Sequence, residues 1–508
     1  MTLLPKVKGQ RAGRIVVYGE QSVPILSAAR PEDVVMAAGQ LGPRNGRVVV
    51  LSHHRYVGSF CSQSDQGIKS IFHENINHWV TRGEFANKHQ VVFLPGHTDL
   101  SDILLKKMKI LVWDSSREQA SPQLEKEVLG FVNNGGALIY AICPHKWKVR
   151  NQSKSMEEMP LGNILAKIGV TFCDYKVSYS VKGEGFSIDS SQALQQALSH
   201  AHHLVQECLK ETQGHILQQN ALRFVNFFRE APASVKEILK DKFYTLFAKC
   251  NEVVDTAIPH PDSKISDQRS LSALVMAGAL SEMEMGYQKM PGIENFPGAI
   301  EEDKVEILKC ADLEIKSTGR ETHPTGYWVP AGNKFEVKVI SQMGSEEEPT
   351  DSSDDDTDSD DEDDDADRWV LTIGSHSDTL NHKDSLKRWP SLVVKARLTS
   401  RLRVFTPYGG LLYFVSPRSA SQISVQISGV VEAPFFDLKE PVTVESWESI
   451  RNAPAPWADI CGQWFRITVP SHTIRELDNP TQVMQVRGHG RSERSREVRG
   501  HGRSEGLL

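Results

Sequence analysis

The sequence predicts a multidomain chain of mixed α/β and β class: an N-terminal three-layer α/β domain, a central helical segment and a C-terminal β-sandwich. The first supporting observation is length, because 508 residues exceed what one hydrophobic core normally organises. The second is a change of hydrophobic period near residue 190, from short β-branched runs to apolar residues every three or four positions. The third is the return of short apolar runs separated by Gly and Pro beyond Pro291.

The N-terminal domain is predicted over residues 1–185, where buried strands alternate with a helix. The helix covers Gln123–Val132 and ends at the turn sequence Asn133–Gly136. The predicted strands are Gly13–Tyr18, Val48–Leu51, Val91–Leu94, Ile110–Trp113 and Ala137–Ile142. Alternation of this kind is typical of a Rossmann-like sheet with helices on both faces.

Residues 186–290 are predicted to be helical and residues 291–484 to form the sandwich. Helical spacing is carried by Ala193, Leu194, Ala197, Leu198, Leu204, Val205, Cys208, Leu209, Val235, Ile238, Leu239, Phe243 and Leu246. The predicted sandwich strands are Phe335–Val339, Trp369–Thr372, Leu411–Val415, Ile423–Ile427 and Trp464–Val469. Such short strands at regular intervals are typical of a sandwich.

Two segments are predicted to be disordered, because neither has enough apolar surface to bury. The acidic insert 345–367 interrupts the sandwich, and its Thr350, Ser352, Ser353 and Thr357 are candidate phosphate acceptors, with a solvated linker as the alternative. The tail 485–508 repeats an Arg-Gly-His sequence. The tail has no aromatic residue on which a base could stack, so no nucleic-acid partner is expected.

Charge and composition indicate a soluble, intracellular chain. The net charge of -7 is dominated by the acidic insert, and the remainder carries about +8. No apolar run is long enough to span a membrane, and the N-terminus has no secretory pattern. The cysteines are scattered, without C-x-x-C spacing, which favours reduced thiols over disulfides or a zinc knuckle: Cys61, Cys143, Cys173, Cys208, Cys250, Cys310 and Cys461.

Two histidine groups invite a metal-site interpretation. His73 and His78 are five residues apart, whereas a helical zinc motif needs an interval of four, so surface or packing roles are favoured. His200 and His203 could share a helix face with His202 nearby, but no third ligand is evident. No metal ligand is assigned.

Cys143 follows a predicted buried strand, at the position where an α/β hydrolytic domain would carry a nucleophile. The flanking sequence lacks the small residues that a nucleophile elbow requires, and the sequence does not show whether His145 faces the sulfur. Neither a phosphate loop nor a dinucleotide fingerprint is present. We therefore assign no catalytic residue and no cofactor, and we expect no small-molecule substrate.

Two stretches carry a family resemblance. Arg47–His53 with Gly135–Ile139 forms the first, and Phe296–Ile300 followed by Pro324–Gly332 forms the second. Together they resemble the TRP-channel-associated factor (TCAF) family, whose chains combine an N-terminal amidotransferase-like domain with an enhancin-like peptidase region. The likeness extends from residue 13 to about residue 480 outside the acidic insert.

The resemblance implies a non-catalytic partner of a melastatin-type TRP cation channel, affecting channel delivery to the plasma membrane and gating. It also implies a cytoplasmic protein, peripheral at the plasma membrane through that partner. Peptidase activity is expected to be absent, because no H-E-x-x-H sequence occurs and the likeness stops near Met484, as in a truncated or alternatively spliced product. Tyr327 and Trp328 are candidate recognition aromatics, with buried packing favoured.

Two alternatives stay open at this point. One is a carbohydrate- or protein-binding β-sandwich unrelated to channels, since a fold does not dictate a function. The other is a residual hydrolase that uses Cys143 or a metal held by His73 and His78.

Overall fold

The structure is a computed structural model. The chain forms two compact units, Met1–Val431 and Glu432–Leu508. The structure describes residues 2–485 with gaps at 6–11, 29, 58–67, 85, 87–89, 101–106, 152–153, 178–184, 189–198, 211–213, 302–304 and 345–367. The acidic insert, residues 486–508 of the tail and Ala193–Leu198 therefore lie outside the described residues.

The first unit opens with a mixed sheet. Its strands are β1 (Thr2–Pro5), β2 (Gly13–Val17), β3 (Ser22–Ser27), β4 (Val34–Leu41), β5 (Gly46–Leu51), β6 (Val91–Phe93), β7 (Ile110–Trp113), β8 (Ala137–Ala141), β9 (Val170–Lys176) and β10 (Gly185–Ile188). Their order is β1-β10-β3-β4-β5-β8-β7-β6, with β2 pairing with β4 and β9. Strands β5, β8, β7 and β6 pair in parallel, and the remaining pairs are antiparallel.

Helices cover both faces of the parallel strands: α1 (Ile68–Val80), α2 (Pro122–Asn133), α3 (Pro144–Arg150) and α4 (Gly162–Ile168). Successive residues of β5 point to opposite faces, so Val48 joins the core that includes α2, and Val49 joins the core that includes α1. Ser121 caps α2 by accepting a hydrogen bond from the Leu124 amide at 3.0 Å. The predicted three-layer arrangement is present.

The helical part comprises α5 (Ala201–Leu209), α6 (Gly214–Phe228), α7 (Ala233–Ile238), α8 (Lys240–Val254) and α9 (Gln268–Glu282). Helix α9 is buried on nearly all sides from Ser270 to Ser281. The hydroxyls of two of its serines form hydrogen bonds within the helix: Ser272 and Ser281 each donate to the carbonyl four residues earlier at 2.7 Å. Ile238, predicted as an apolar packing position, is instead 54% exposed.

The sandwich follows, built from β11 (Ala311–Ser317), β12 (Thr322–Val329), β13 (Lys334–Gly344), β14 (Val370–Ile373), β15 (Val394–Arg397), β16 (Arg401–Phe405), β17 (Gly410–Val415) and β18 (Ser421–Ser428). One sheet has the order β11-β18-β13-β16, and the other contains β15-β14-β17-β12. Strand β18 shows the alternation of a half-buried strand, with Ile423, Val425 and Ile427 fully buried.

The second unit carries its own small sheet, into which the last predicted sandwich strand falls. After β19 (Val431–Glu432), its elements are β20 (Phe435–Asp437), α10 (Pro441–Glu445), α11 (Trp447–Ile450), β21 (Trp457–Cys461), β22 (Arg466–Pro470), α12 (Ser471–Ile474) and α13 (Pro480–Met484). The sheet order is β20-β21-β22. The predicted strand Trp464–Val469 begins late because Gly462 donates to the Phe465 carbonyl at 2.9 Å, which closes a hairpin turn.

Arg14 joins the α/β sheet to the helical part. It lies in β2, is 1% exposed, and donates to the carbonyls of Asn226 and Phe227 at 2.7 and 2.8 Å. Those carbonyls belong to the last turn of α6, where no intrahelical donor remains for them. The guanidinium also lies over the Phe227 ring, 5.1 Å from its centroid. A cation at the C-terminal end of a helix is favourable, so this contact stabilises both elements.

Replacing Arg14 with Met should lower the free energy of unfolding of the first unit by about 3 kcal/mol, because buried carbonyls lose their donors. Urea unfolding followed by far-UV circular dichroism measures this. The exposed Arg44→Met variant serves as the control and should change stability little. Equal stability of the two variants would contradict a structural role for Arg14.

Candidate functional site

Those histidines whose side chains the structure describes do not form a metal site. His78 is exposed on α1, and the His73 side chain lies outside the described ones. His200 caps α5: its Nδ1 accepts from the His202 amide at 3.2 Å, and its Nε2 lies 2.9 Å from the Gly19 carbonyl oxygen. Burial lowers the pKa of His200 to about 4. Among the described residues no group of three or more His, Cys, Asp or Glu could hold a metal ion.

Cys143 sits at the end of β8 without the geometry of a nucleophile elbow. Its φ of -92° and ψ of 100° are those of ordinary extended backbone, whereas an elbow holds its nucleophile on a strained turn. The residue is 4% exposed, and its amide donates to the Ser116 hydroxyl at 2.9 Å. His145 brings its Nδ1 within 3.5 Å of Asp174 Oδ1. No disulfide links the cysteines in the described part of the chain.

His53 follows β5 at the sheet edge where Cys143 follows β8, and the sequence predicted no site role for it. Leu51 of β5 pairs in parallel with Ala141 of β8, so both strands continue by two residues to His53 and Cys143. The carboxyl ends of neighbouring parallel strands are where α/β sheets commonly bind ligands. His53 is 2% exposed, however, and its ring stacks on His54 with centroids 4.5 Å apart, which indicates packing.

Ser416, His323 and Glu321 in the sandwich form a second constellation of catalytic residue types. His323 Nε2 lies 3.4 Å from Ser416 Oγ and 3.9 Å from Glu321 Oε1. A catalytic triad uses opposite imidazole nitrogens for the hydroxyl and the carboxylate, whereas here one nitrogen faces both. Ser416 is fully buried and donates to the Gly319 carbonyl at 2.6 Å, so the network closes a turn.

Tyr327 and Trp328, the candidate recognition aromatics, lie within strand β12 and not in a loop. Trp328 is 2% exposed because β12 pairs with β17 at this point, Trp328 opposite Leu411. The packing interpretation therefore describes Trp328, which is not available as a recognition residue.

Three basic side chains surround the Asp174 carboxylate in β9. Its Oδ2 accepts from Arg368 Nη1 at 2.8 Å and forms an ion pair with Arg397 Nη1 at 2.9 Å; Arg397 Nη1 donates to the Asp174 backbone carbonyl at 2.5 Å. Burial raises the pKa of Asp174, but the His145 contact and the two guanidinium charges outweigh burial, so the pKa of the carboxyl lies well below its usual range. Asp174 thus links the α/β sheet to two arginines of the sandwich.

A cleft of about 300 Å³ opens beside Asp174. It is lined by Lys148, Ser155, Met156, Glu157, Cys173, Asp174, Glu230, Pro232, Ala233 and Arg397. The walls therefore come from the α/β sheet and its helices, from the connection between α6 and α7, and from β15 of the sandwich. We call this space the junction cleft. It is a partly open cleft whose lining includes both acidic and basic side chains.

Comparison with known proteins first defines the class of fold. Residues 361–428 match the N-terminal domain of M60-like peptidases. The IMPa metallopeptidase from Pseudomonas aeruginosa superposes with a TM-score of 0.50 at 11% identity, covering 92% of this chain and 56% of that one. The chain thus shares the architecture of M60-like metallopeptidases, with mixed α/β layers and sandwich-like sheets.

Comparison of the sequence with those of known proteins gives a more specific similarity than the fold does. A TRPM8 channel-associated factor homolog of Danio rerio is 23% identical over 507 residues, covering 94% of this chain and 50% of that protein. TRPM8 channel-associated factor 3 of Rattus norvegicus is 25% identical over 71% of this chain, and factor 1 of Bos taurus is 32% identical over 120 residues, or 23% of this chain. The chain is similar to the TRP-channel-associated factors and spans half the length of the Danio rerio protein.

Replacing Asp174 with Asn should lower the free energy of unfolding by about 3 kcal/mol at pH 7, because two partly buried arginines lose their counter-charge. A depressed carboxyl pKa contributes stability above the unfolded value of about 4 and loses it as pH falls through the folded value. The gap in melting temperature between wild type and variant should therefore hold from pH 7 to pH 5 and narrow below pH ~4.

Thermal unfolding across this pH range measures the gap, with Asp378→Asn as the control. Asp378 also pairs with an arginine, Arg388 at 2.6 Å, but its side chain is 63% exposed. A gap that does not change with pH would contradict the assignment of the stability to the ionised carboxylate.

Proposed function

We propose that this chain is a non-catalytic regulatory protein that associates with a melastatin-type TRP cation channel and affects its delivery to the plasma membrane and its gating. The observation that carries the proposal is the similarity to proteins named TRPM8 channel-associated factors, which extends over 94% of this chain. On this proposal the protein is cytoplasmic and reaches the membrane through its partner. In the described residues, no helix has both the length and the apolarity needed to cross a membrane.

The contacts of the candidate catalytic residues support the proposal that the chain is not an enzyme. Cys143 has unstrained backbone, His145 faces Asp174, and Ser416 is buried in a turn network. The M60-like architecture is a peptidase architecture, but chemistry depends on the site and not on the fold. Each of these polar groups serves a structural contact.

The surfaces that would meet the channel are proposed to be the outer faces of the sandwich and of the N-terminal α/β part. One sheet of the sandwich presents an ion-pair network, in which Glu336 accepts from Arg401 and Arg403 at 2.9 and 2.7 Å. Such polar faces suit a reversible, charge-complementary contact. The amidotransferase-like interpretation of the N-terminal part and the domain limits near 185, 290 and 484 belong to the same proposal.

Co-precipitation of the full chain with a TRPM8-type channel from cells, paired with surface biotinylation of the channel, tests this function. We expect capture of the chain and a changed amount of channel at the surface. Full-length TRPM8 channel-associated factor 1 of Bos taurus is the positive control, and a TRP channel of another subfamily is the negative control.

Failure of both readouts, with the positive control working, would overturn the channel proposal. Binding to a glycan array without channel capture would favour the carbohydrate-binding alternative instead. The glycan array is included because a structure similar in fold, IMPa, was solved in complex with an O-glycopeptide. That structure is 12% identical to this chain and superposes with a TM-score of 0.50.

A further inference from the structure

The hairpin between β21 and β22 carries the most exposed large apolar side chain of the described residues. The Gly462 amide donates to the Phe465 carbonyl at 2.9 Å, so Trp464 lies in the turn, where it is 81% exposed. Phe465 and Ile467 beside it are each 38% exposed. The other eight tryptophans of the chain are all buried or partly buried. Neighbouring exposed apolar side chains of this size indicate an interaction surface.

The described part of the chain ends beside this hairpin. Met484, the last residue of α13, packs against the turn so closely that a Cβ at Gly462 would lie 3.1 Å from the Met484 carbonyl oxygen. Arg487 is three residues beyond Met484, and an extended chain of that length spans up to about 10 Å. Residues 486–508 are therefore attached where they can reach Trp464 without any change in the second unit.

The compact part of the second unit and the segment that follows it have opposite net charge. Residues 432–485 carry eight carboxylates against four Lys or Arg side chains, whereas residues 486–508 carry six arginines against three glutamates. Five glutamates of the compact part are exposed and form no ion pair with another described residue: Glu432, Glu440, Glu445, Glu448 and Glu476. This excess of negative charge favours a basic segment as the occupant of the hairpin surface.

The charge at the base of the hairpin has the same sign. Cys461 pairs with Arg466 across β21 and β22. Burial, together with the charges of Asp459, Asp437 and Glu440, raises the pKa of the Cys461 thiol to about 12, and Arg466 opposes them. Arg466 itself lies 3.8 Å from Asp459. Three carboxylates and one guanidinium thus leave this end of the sheet with a negative balance.

Arginine is the cation that suits an exposed tryptophan. Its guanidinium is planar, weakly hydrated and stacks on aromatic faces, whereas the lysine ammonium is compact and strongly hydrated. The chain already contains such a contact, because Arg47 lies over the Trp79 ring at 4.9 Å from its centroid. Residues 486–508 contain no lysine, and each copy of their repeat Val-Arg-Gly-His-Gly-Arg-Ser-Glu supplies two arginines separated by glycines. Glycine leaves the backbone free to bring a guanidinium against a ring.

We propose that the hairpin of the second unit is a docking site for residues 486–508 of the same chain, whose guanidinium groups stack on Trp464 and Phe465. Tethering gives the segment an effective concentration on the order of millimolar, so even a weak contact is populated. The channel association proposed above assigns no contact to the second unit, so this docking site is additional to it. While the segment is docked, a partner that uses the same aromatics has to displace it.

Limited trypsin digestion of the purified full chain, with cleavage after the arginines of residues 486–508 followed by mass spectrometry, tests the docking. Trp464→Ser should increase these cleavage rates at least about threefold, because an arginine–aromatic contact that protects the segment is lost. The matched control is Tyr244→Ser, which removes an aromatic side chain that is 47% exposed in the first unit and should leave the rates unchanged.

The digestion has two outcomes that would rule the proposal out. One is equal cleavage of wild type and Trp464→Ser. The other is protection that grows with protein concentration, which would assign the hairpin to a second copy of the chain and not to the segment of the same chain.

Acrylamide quenching of tryptophan fluorescence provides a second test, because Trp464 is the exposed tryptophan of the chain. The variant is a full chain in which six arginines are changed to lysine, with no change in net charge: Arg487, Arg491, Arg494, Arg496, Arg499 and Arg503. We expect quenching to increase in this variant, since lysine stacks less well on the ring. Equal quenching would show that arginine stacking does not cover Trp464. No channel is present in either assay, so their outcome is independent of the channel experiment.

Discussion

The contact between Arg14 and the end of α6 is the constraint on which the arrangement of the first unit depends. A guanidinium inside a buried strand is costly unless its donors find acceptors. Here the acceptors are the last carbonyls of a helix, which themselves lack donors, so each element satisfies the other. The sheet and the helical part are therefore joined by a contact that neither can replace from its own residues.

Asp174 forms a comparable contact between the sheet and the sandwich. Its carboxylate is enclosed by partners that lie far away in sequence, Arg368 and Arg397. The two joints differ in their chemistry. Arg14 donates to helix carbonyls and has the buried Asp33 carboxylate 3.9 Å away, whereas Asp174 pairs directly with two guanidinium groups. The junction cleft lies at the sandwich joint.

The sequence predicted those elements whose residues carry an unambiguous pattern. Strands β5, β7 and β8 are buried on both faces and read as continuous apolar runs, and α2 has a Ser-Pro start and a Gly-Gly end. The hairpin of β3 and β4 was missed, since Pro24 and the Ala37-Ala38-Gly39 run are poor strand formers. The cleft was missed for another reason: no local pattern shows that Asp174 meets an arginine 223 positions later.

Helix α9 has a consequence for how the chain reaches its fold during synthesis. The cluster that surrounds α9 includes Trp389, Leu392 and Tyr408, which lie more than a hundred residues beyond its start. Until the ribosome has delivered them, the apolar run Leu271–Leu280 has no complete set of neighbours. For about the time needed to translate those residues, several seconds or more, the nascent chain presents an aggregation-prone helix. Production in cells should therefore depend on chaperones that hold such segments, more than the composition of the finished protein would indicate.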